Sequence, residues 1–134
     1  MAYWLVKTEP TDYSFADLQR DKHTAWTGVT APPALKHMRG MKSGDSVFVY
    51  HTGDAKQIVG IAEVAKSAYP DPKAGDEKLV AVDLKAGKTL KRPVTLAEIK
   101  ADKRFKDFAL VRISRLSVMP VSKDQWDAIL EMSN

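Results

Sequence analysis

The chain has 134 residues, the size of one domain, and this length is sufficient to bury a hydrophobic core. It contains no cysteine, which excludes disulfides, thiolate metal sites and cysteine-based catalysis. Lys and Arg number 21 against 17 Asp and Glu, and this net charge of +4 permits nucleic-acid binding without requiring it. No apolar run reaches membrane-spanning length, and the amino terminus lacks a signal-peptide pattern. We therefore expect one cytoplasmic domain over residues 1–134, with no membrane partner.

The first third of the chain predicts one strand and two short helices. Tyr3–Lys7 is strongly β-prone and begins almost at residue 1, so we expect it inside the sheet. Ser14, with an acid three residues later, predicts a capped helix. Residues 20–25 are polar and are expected to be exposed. A proline at position 33 is suited to the first turn of a helix, which predicts a helix over 33–39.

The centre of the chain carries the stretch around which we expect the sheet to be organised. Ser46–Thr52 is apolar on both faces at its middle, which is typical of a strand covered on both sides. A second long strand is expected over Gln57–Ala68. The two predict an antiparallel hairpin inside a closed or nearly closed sheet. The first strand ends in a tyrosine, a histidine and a threonine, a suitable place to hold a planar polar ligand.

The second half adds further strands and two capped helices. Tyr69–Pro72 contains two prolines and predicts a rigid turn. Capping boxes at Thr95 and Ser122 predict helix starts. Phe105 and Phe108 lie in an expected loop that must dock on the core. The remaining strands are expected at Leu79–Leu84, at the edge segment Thr89–Val94 and at Leu116–Val121. Core positions are expected at Trp4, Phe15, Phe48, Val82, Val118 and Trp126.

These elements predict an α+β domain: about five to six mainly antiparallel strands in a small barrel, with short flanking helices. The three histidines fall in different predicted segments without carboxylates at ligand spacing, so we expect no metal site. We expect a monomer.

Several motifs run in order along nearly the whole chain: Tyr3–Pro10, Trp26-x-Gly28-Val29, Tyr50-His51-Thr52, Gly60–Val64, Tyr69–Pro72, Arg115–Val121 and Trp126. In these motifs the sequence resembles the EVE domain family. The resemblance implies a PUA-like pseudo-barrel, related to the YTH and ASCH domains. It also implies a reader of modified bases in DNA or RNA, with the base held in a pocket beside the barrel, and it implies no cofactor.

The chain departs from the family pattern at two places near the expected pocket. Thr8 stands where the family usually has serine, which keeps the hydroxyl. Thr30–Leu35 replaces a stretch that usually begins with Arg-Asn, so a guanidinium and a carboxamide are missing from the expected rim.

The expected ligand-binding residues supply stacking surfaces, hydrogen bonds to a base edge, and positive charge for phosphates. They are Lys7, Thr8, Glu9, Trp26, Thr27, Gly28, Val29, Thr30, Tyr50, His51, Thr52, Arg115 and Leu116. Trp26 and Tyr50 would contact the base faces, and Leu116 would supply an apolar wall opposite Trp26. Lys36 and Arg39 are further candidates for phosphate contacts.

Each of these assignments has a structural alternative. Trp26 is equally suited to the core beside a turn. The polar groups of Tyr50–Thr52 suit a cap on a turn, and Lys7–Glu9 suits a solvated strand end with a capping threonine. A surface arginine such as Arg115 commonly has no specific partner.

Three functions follow, of which a non-enzymatic module that reads a modified cytosine or adenine in DNA or RNA is favoured. The first alternative is an ASCH-like amidohydrolase acting on an acylated nucleobase through Lys7, Thr8 and Glu9, with Glu63 nearby on a strand. Because successive strand residues point to opposite faces, that chemistry requires the chain to turn at Glu9-Pro10. The second alternative is an interaction domain that binds a peptide or a small molecule.

Overall fold

The computed structural model describes all residues from Met1 to Asn134. Six strands and five short α-helices follow one another, with a 3₁₀ turn at Lys103–Phe105. The strands are β1 (Tyr3–Thr8), β2 (His23–Trp26), β3 (Ser46–His51), β4 (Gln57–Pro70), β5 (Val80–Thr95) and β6 (Val118–Val121). The helices are α1 (Phe15–Asp21), α2 (Pro32–Gly40), α3 (Leu96–Ala101), α4 (Ala109–Arg112) and α5 (Lys123–Met132).

The strands form one sheet in the order β2-β5-β4-β3-β1-β6. Four of the five strand pairs are antiparallel, and only β1 and β3 run parallel. This confirms an α+β architecture with six mainly antiparallel strands. The sheet is not closed, because β2 and β6 remain its two edges, so of the expected closed or nearly closed sheet the full closure is not found.

Strand β3 lies at the centre of the core. Its residues Val47–Tyr50 are all buried, which confirms the prediction that both faces are covered. On one face Trp126 of α5 stacks on Phe48, with ring centroids 3.7 Å apart. All six predicted core residues are buried, and so are Phe105 and Phe108, which dock on the core as expected.

The buried carboxylate of Asp45 joins the start of β1 to the turn before β3. It accepts hydrogen bonds from Trp4 Nε1 at 2.9 Å, the Lys42 amide at 3.0 Å and the Ala2 amide at 3.1 Å. The backbone carbonyl of Asp45 accepts from the amide of Val64 on β4 at 2.9 Å. One residue therefore aligns three adjacent strands.

The boundaries of several elements differ from the predictions. Residues 20–25 are largely exposed as expected, but 23–26 form β2, because their amides pair with β5. Tyr69 and Pro70 do not belong to a turn. They are the last residues of β4, where Tyr69 pairs with Ala81 and Pro70 with Val80.

The expected turn at Ala86–Lys88 is instead an irregularity inside the continuous strand β5. A β-carbon on Gly87 would lie 2.5 Å from the carbonyl oxygen of Ile61, so only glycine allows β4 this close. The pairing register shifts there, which absorbs the extra residues as a bulge. Glycine at this position therefore serves sheet packing rather than chain reversal.

The three predicted helix caps are confirmed. Ser14, Thr95 and Ser122 each form a capping box with the third residue of the following helix. Helix α2 begins at Pro32, one residue before its predicted start. No helix in the structure is long and apolar enough to cross a membrane.

Gly60 gives the first prediction. A β-carbon on Gly60 would lie 2.4 Å from two carbons of the Phe15 ring, both within a packed core. We expect Gly60→Ala to lower the free energy of unfolding by about 1–3 kcal/mol, measured by urea denaturation. The penalty should largely disappear in a Phe15→Ala background, where the ring is absent. An equal penalty in both backgrounds would show that the clash is not the cause.

Asp45 gives the second prediction. Burial alone raises the pKa of its carboxyl, but the hydrogen bonds from Trp4, Lys42 and Ala2 outweigh burial and bring that pKa below its usual value. A carboxylate with a lowered folded-state pKa stabilises the fold above the unfolded pKa of about 4, and this contribution is lost as pH falls through the folded pKa. Asp45→Asn should lower the free energy of unfolding by about 1–3 kcal/mol at neutral pH. The asparagine side chain would place its own NH₂ donor against N–H groups that need an acceptor.

The difference in unfolding free energy between wild type and Asp45→Asn should therefore shrink below about pH 4. The control is Asp54→Asn, in an exposed turn whose carboxylate makes no hydrogen bond. A difference that stays constant from neutral to acidic pH would refute the assigned role of the carboxylate.

Candidate functional site

A cavity of about 610 Å³ lies where β1 ends, facing the loop between β2 and α2. We call it the main cavity. It brings together two sequence segments that were predicted separately, Lys7–Glu9 and Trp26–Thr30. Its volume lies in the range of small-ligand sites. Eight of the thirteen predicted binding residues therefore share one concave surface.

The end of β1 turns at Glu9, and hydrogen bonds hold its side chains in place. The Thr8 hydroxyl donates to the carbonyl of Tyr13 at 2.6 Å. The Glu9 carboxylate accepts from the hydroxyls of Thr11 at 3.2 Å and Thr52 at 3.3 Å. Because each carboxylate oxygen has further lone pairs, Glu9 remains able to accept a hydrogen bond from a ligand in the cavity.

Trp26 is both a core residue and a cavity wall. It is only 8% exposed and belongs to the hydrophobic core, yet it lines the main cavity. The ring of Tyr13 meets it edge-on, with centroids 6.3 Å apart and an interplanar angle of 82°. The two interpretations of Trp26 offered by the sequence are therefore compatible.

The rim of the main cavity is held by a buried carboxylate that the sequence analysis missed. Asp71 is 6% exposed, and its Oδ2 accepts the amide of Gly28 at 3.3 Å while its Oδ1 accepts the amide of Lys73 at 2.9 Å. Gly28 has a φ of +80°, which glycine adopts without strain. Asp71 thus ties together two loops that both line the main cavity.

The main cavity has balanced charge. Its lining includes the carboxylates of Glu9 and Asp12 and the ammonium groups of Lys7 and Lys73. Burial lowers the pKa of Lys7, whose Nζ donates to the carbonyl of Ser114 at 2.9 Å. Burial is also the main cause of the raised pKa of Tyr13. The balance suits a polar, uncharged ligand better than a strongly charged one.

A second cavity of about 310 Å³ lies on the other side of Lys7, whose side chain lines both cavities. Tyr50 and Thr52 line this second cavity rather than the main one. Tyr50 is 3% exposed, and the Nζ of Lys7 lies 5.7 Å from its ring centroid. We expected Trp26 and Tyr50 to contact the two faces of one base. Because they line different cavities, that prediction is wrong.

The other predicted residues lie outside both cavities. His51 Nε2 accepts the amide of Phe15 at 3.0 Å, so this imidazole holds the start of α1, and burial lowers its pKa. Leu116 is buried in the core and does not form a wall opposite Trp26, because the residue just before β6 that lines the cavity is Ser117. Arg115 is exposed on the loop before β6.

The two phosphate candidates on α2 also lie away from the main cavity. Lys36 and Arg39 are exposed, and Arg39 donates to the carbonyl of Lys78 at 2.6 Å. No group of three or more acidic or histidine side chains has an arrangement suited to a metal ion.

Sequence reasoning missed several lining residues because tertiary contacts bring them to the cavity. They are Asp12, Tyr13, Thr24, Ala25, Ala31, Lys73 and Ser117. Tyr13 lies three residues after the first family-like motif, Tyr3–Pro10, while Asp71 and Ser117 lie within Tyr69–Pro72 and Arg115–Val121, so position in or near these motifs was an available signal. Lys73 had no such signal.

Comparison with known proteins places this geometry in a family. The EVE domain profile matches residues 2–132. Thymocyte nuclear protein 1 of Rattus norvegicus is 31% identical, over 97% of this chain and 73% of its own length. A protein of Rhodopseudomonas palustris, solved by NMR, is 47% identical with a TM-score of 0.94, over 99% of this chain and 93% of its own.

The crystal structure of human THYN1 protein was determined in complex with DNA containing 5-methylcytosine. It superposes with a TM-score of 0.92 at 27% identity and covers 100% of this chain and 98% of that one. An ASCH protein of Zymomonas mobilis has a TM-score of 0.65 at 12% identity, over 98% of this chain and 95% of its own, and this likeness shows the fold alone. The PUA-like fold class is thereby confirmed, and the chain belongs to the EVE domain family.

Proposed function

We propose that this protein is a non-enzymatic DNA-binding module that holds a modified base in the main cavity. The observation that carries the proposal is the convergence of Lys7–Glu9 and Trp26–Thr30 on one cavity of about 610 Å³. A base reaches such a cavity only if it is unpaired or turned out of the duplex. The protein would therefore favour single-stranded or easily opened sites.

The chemistry of the cavity wall suits a pyrimidine or purine ring. Trp26 offers an aromatic surface, and stacking on an aromatic side chain contributes roughly 1–3 kcal/mol per base. Val29 and Ala31 add apolar atoms on the same rim, which suit a small apolar substituent such as a methyl group. The Glu9 carboxylate is placed to accept from an exocyclic amine, the group that cytosine and adenine share.

The human relative supports methylated cytosine in DNA as the first ligand to test, since that protein was crystallised with DNA containing 5-methylcytosine. The two proteins are 27% identical over the whole of the present chain. Binding of modified adenine and of modified RNA bases should be measured as well. A carboxylate that accepts from an exocyclic amine, as proposed for Glu9, does not distinguish cytosine from adenine.

The hydrogen bonds of Lys7, Thr8 and Glu9 favour binding over hydrolysis. A nucleophilic threonine needs a base within hydrogen-bond reach. Here the Thr8 hydroxyl donates to the Tyr13 carbonyl, and the Lys7 ammonium donates to the Ser114 carbonyl. Glu9 is bonded to Thr11 and Thr52. Each of the three groups is therefore oriented by other residues, and none of them is bonded to another of the three.

The direct test is a binding titration at low salt with short single-stranded and duplex DNA and RNA, carrying modified and unmodified cytosine or adenine. We expect Trp26→Phe to weaken binding of the preferred modified base about 3- to 10-fold, because a smaller ring stacks less well. The matched control is Trp126→Phe, a buried tryptophan that stacks on Phe48 away from both cavities.

Equal affinity for modified and unmodified bases in the wild type would overturn the proposal. Analysis of the recovered oligonucleotides by mass spectrometry would show any base conversion, which would favour the amidohydrolase instead. Equal weakening by the two tryptophan variants would indicate a general loss of packing rather than a lost contact.

Asp71 gives a further prediction at the same site. Asp71→Ala removes the acceptor that holds Gly28 and Lys73, so the two rim loops lose their mutual alignment. We expect affinity for the modified base to fall about tenfold, because ordering the loops then opposes binding. The measurement is the same titration, corrected for the folded fraction at the assay temperature.

The control for Asp71 is Asp76→Ala in the following loop. Asp76 is exposed, its carboxylate accepts a hydrogen bond only from the amide of Lys78, and it does not line the main cavity. If both alanine variants bind like the wild type, rim alignment by Asp71 does not contribute to recognition.

A further inference from the structure

The second cavity continues into a third, and their linings have a different charge from that of the main cavity. The third cavity, of about 300 Å³, shares Lys56, Leu96 and Lys100 with the second. Lys7 in turn belongs to both the second and the main cavity. The shared residues therefore make the three cavities neighbours, with Lys7 between the main and the second cavity. We call the part formed by the second and third cavities the lysine groove.

Every charged residue that lines the lysine groove is a lysine: Lys7, Lys56 and Lys100. None of the three forms an ion pair with an acid. By contrast, the main cavity balances two lysines with two carboxylates. Three unpaired ammonium groups around a depression create a positive potential that attracts anions.

The floor of the groove is apolar. Leu110 is buried, and Leu96 and Val111 are half-buried, so each presents carbon atoms below the lysines. An apolar floor with a cationic rim does not suit a free, fully hydrated anion. It suits a chain in which anionic groups alternate with less polar rings, as phosphates alternate with sugars in a nucleic-acid strand.

We propose that the lysine groove binds the sugar–phosphate backbone of the strand whose modified base occupies the main cavity. The inference rests on the proposed function, since it assigns a path to the same ligand. Lys7 lies at the junction, next to the nucleotide whose base is bound. Lys56 and Lys100 hold phosphates of the neighbouring nucleotides on one side, and the sugars lie over Leu96, Leu110 and Val111.

The test is the salt dependence of oligonucleotide binding by the double variant Lys56→Gln/Lys100→Gln. On a single strand, each lost phosphate contact lowers the slope of log K against log salt by about 0.7. We therefore expect the slope to fall by about 1.4 and the affinity to fall uniformly for modified and unmodified bases. The ratio between the two affinities should stay at its wild-type value.

The matched control is Lys88→Gln/Lys91→Gln, which removes two exposed lysines of β5 that have no ion pair and line none of these cavities. A second arm uses the single modified nucleoside, which has no phosphate and should bind the groove variant as well as it binds the wild type. Melting temperatures of both double variants report whether the fold is retained.

The outcomes separate this proposal from the proposed function. An equal loss of slope in both double variants would mean that only overall charge matters, and an unchanged slope in the groove variant would mean that the groove binds no backbone. Either result overturns the inference while leaving base preference intact. Loss of base preference in the wild type overturns the proposed function, whatever the slopes show.

Discussion

The parallel pairing of the neighbouring strands β1 and β3 is the constraint on which the rest of the structure depends. Two parallel strands cannot be joined by a tight turn, so the chain between them must cross over. That crossover contains α1, β2 and α2, and it supplies Tyr13 and Trp26–Ala31 to the main cavity. Asp45 holds the pair in register through bonds to Ala2 and Trp4. The cavity is therefore a by-product of the crossover, placed where β1 ends.

Much of the fold could be predicted because its signals are local. A capping box involves only four residues, and a strand covered on both faces is recognised by its continuous run of apolar residues. The order of strands in the sheet has no such local signal. Gly87 is an example: its sequence context is that of a turn, yet the distance to the Ile61 carbonyl makes it a bulge. Only the approach of β4 decides between the two.

The candidate site was predictable to the extent that its residues are contiguous in sequence. Lys7–Glu9 and Trp26–Thr30 are each a short run at the end of a strand, and both reach the main cavity. Tyr50–Thr52 looked equally favourable, but the alternation of the strand separates Tyr50 from His51, which bonds to the Phe15 amide instead. The role of Asp71 was not found because its bond to the distant Gly28 depends on the fold, and both of its partners are main-chain amides, which carry no side-chain signal in the sequence.

Trp26 and the rim loop differ in how freely they can change during evolution. Trp26 is part of the hydrophobic core, so a substitution that alters the cavity at this wall also alters stability. Thr30 and Ala31 on the rim are exposed. Selection can therefore retune ligand choice at these two positions while the tryptophan wall stays fixed. The departure of Thr30–Leu35 from the usual family pattern begins with these two exposed residues, whereas Ala34 and Leu35 lie in the core, so the start of this segment can change specificity on an unchanged scaffold.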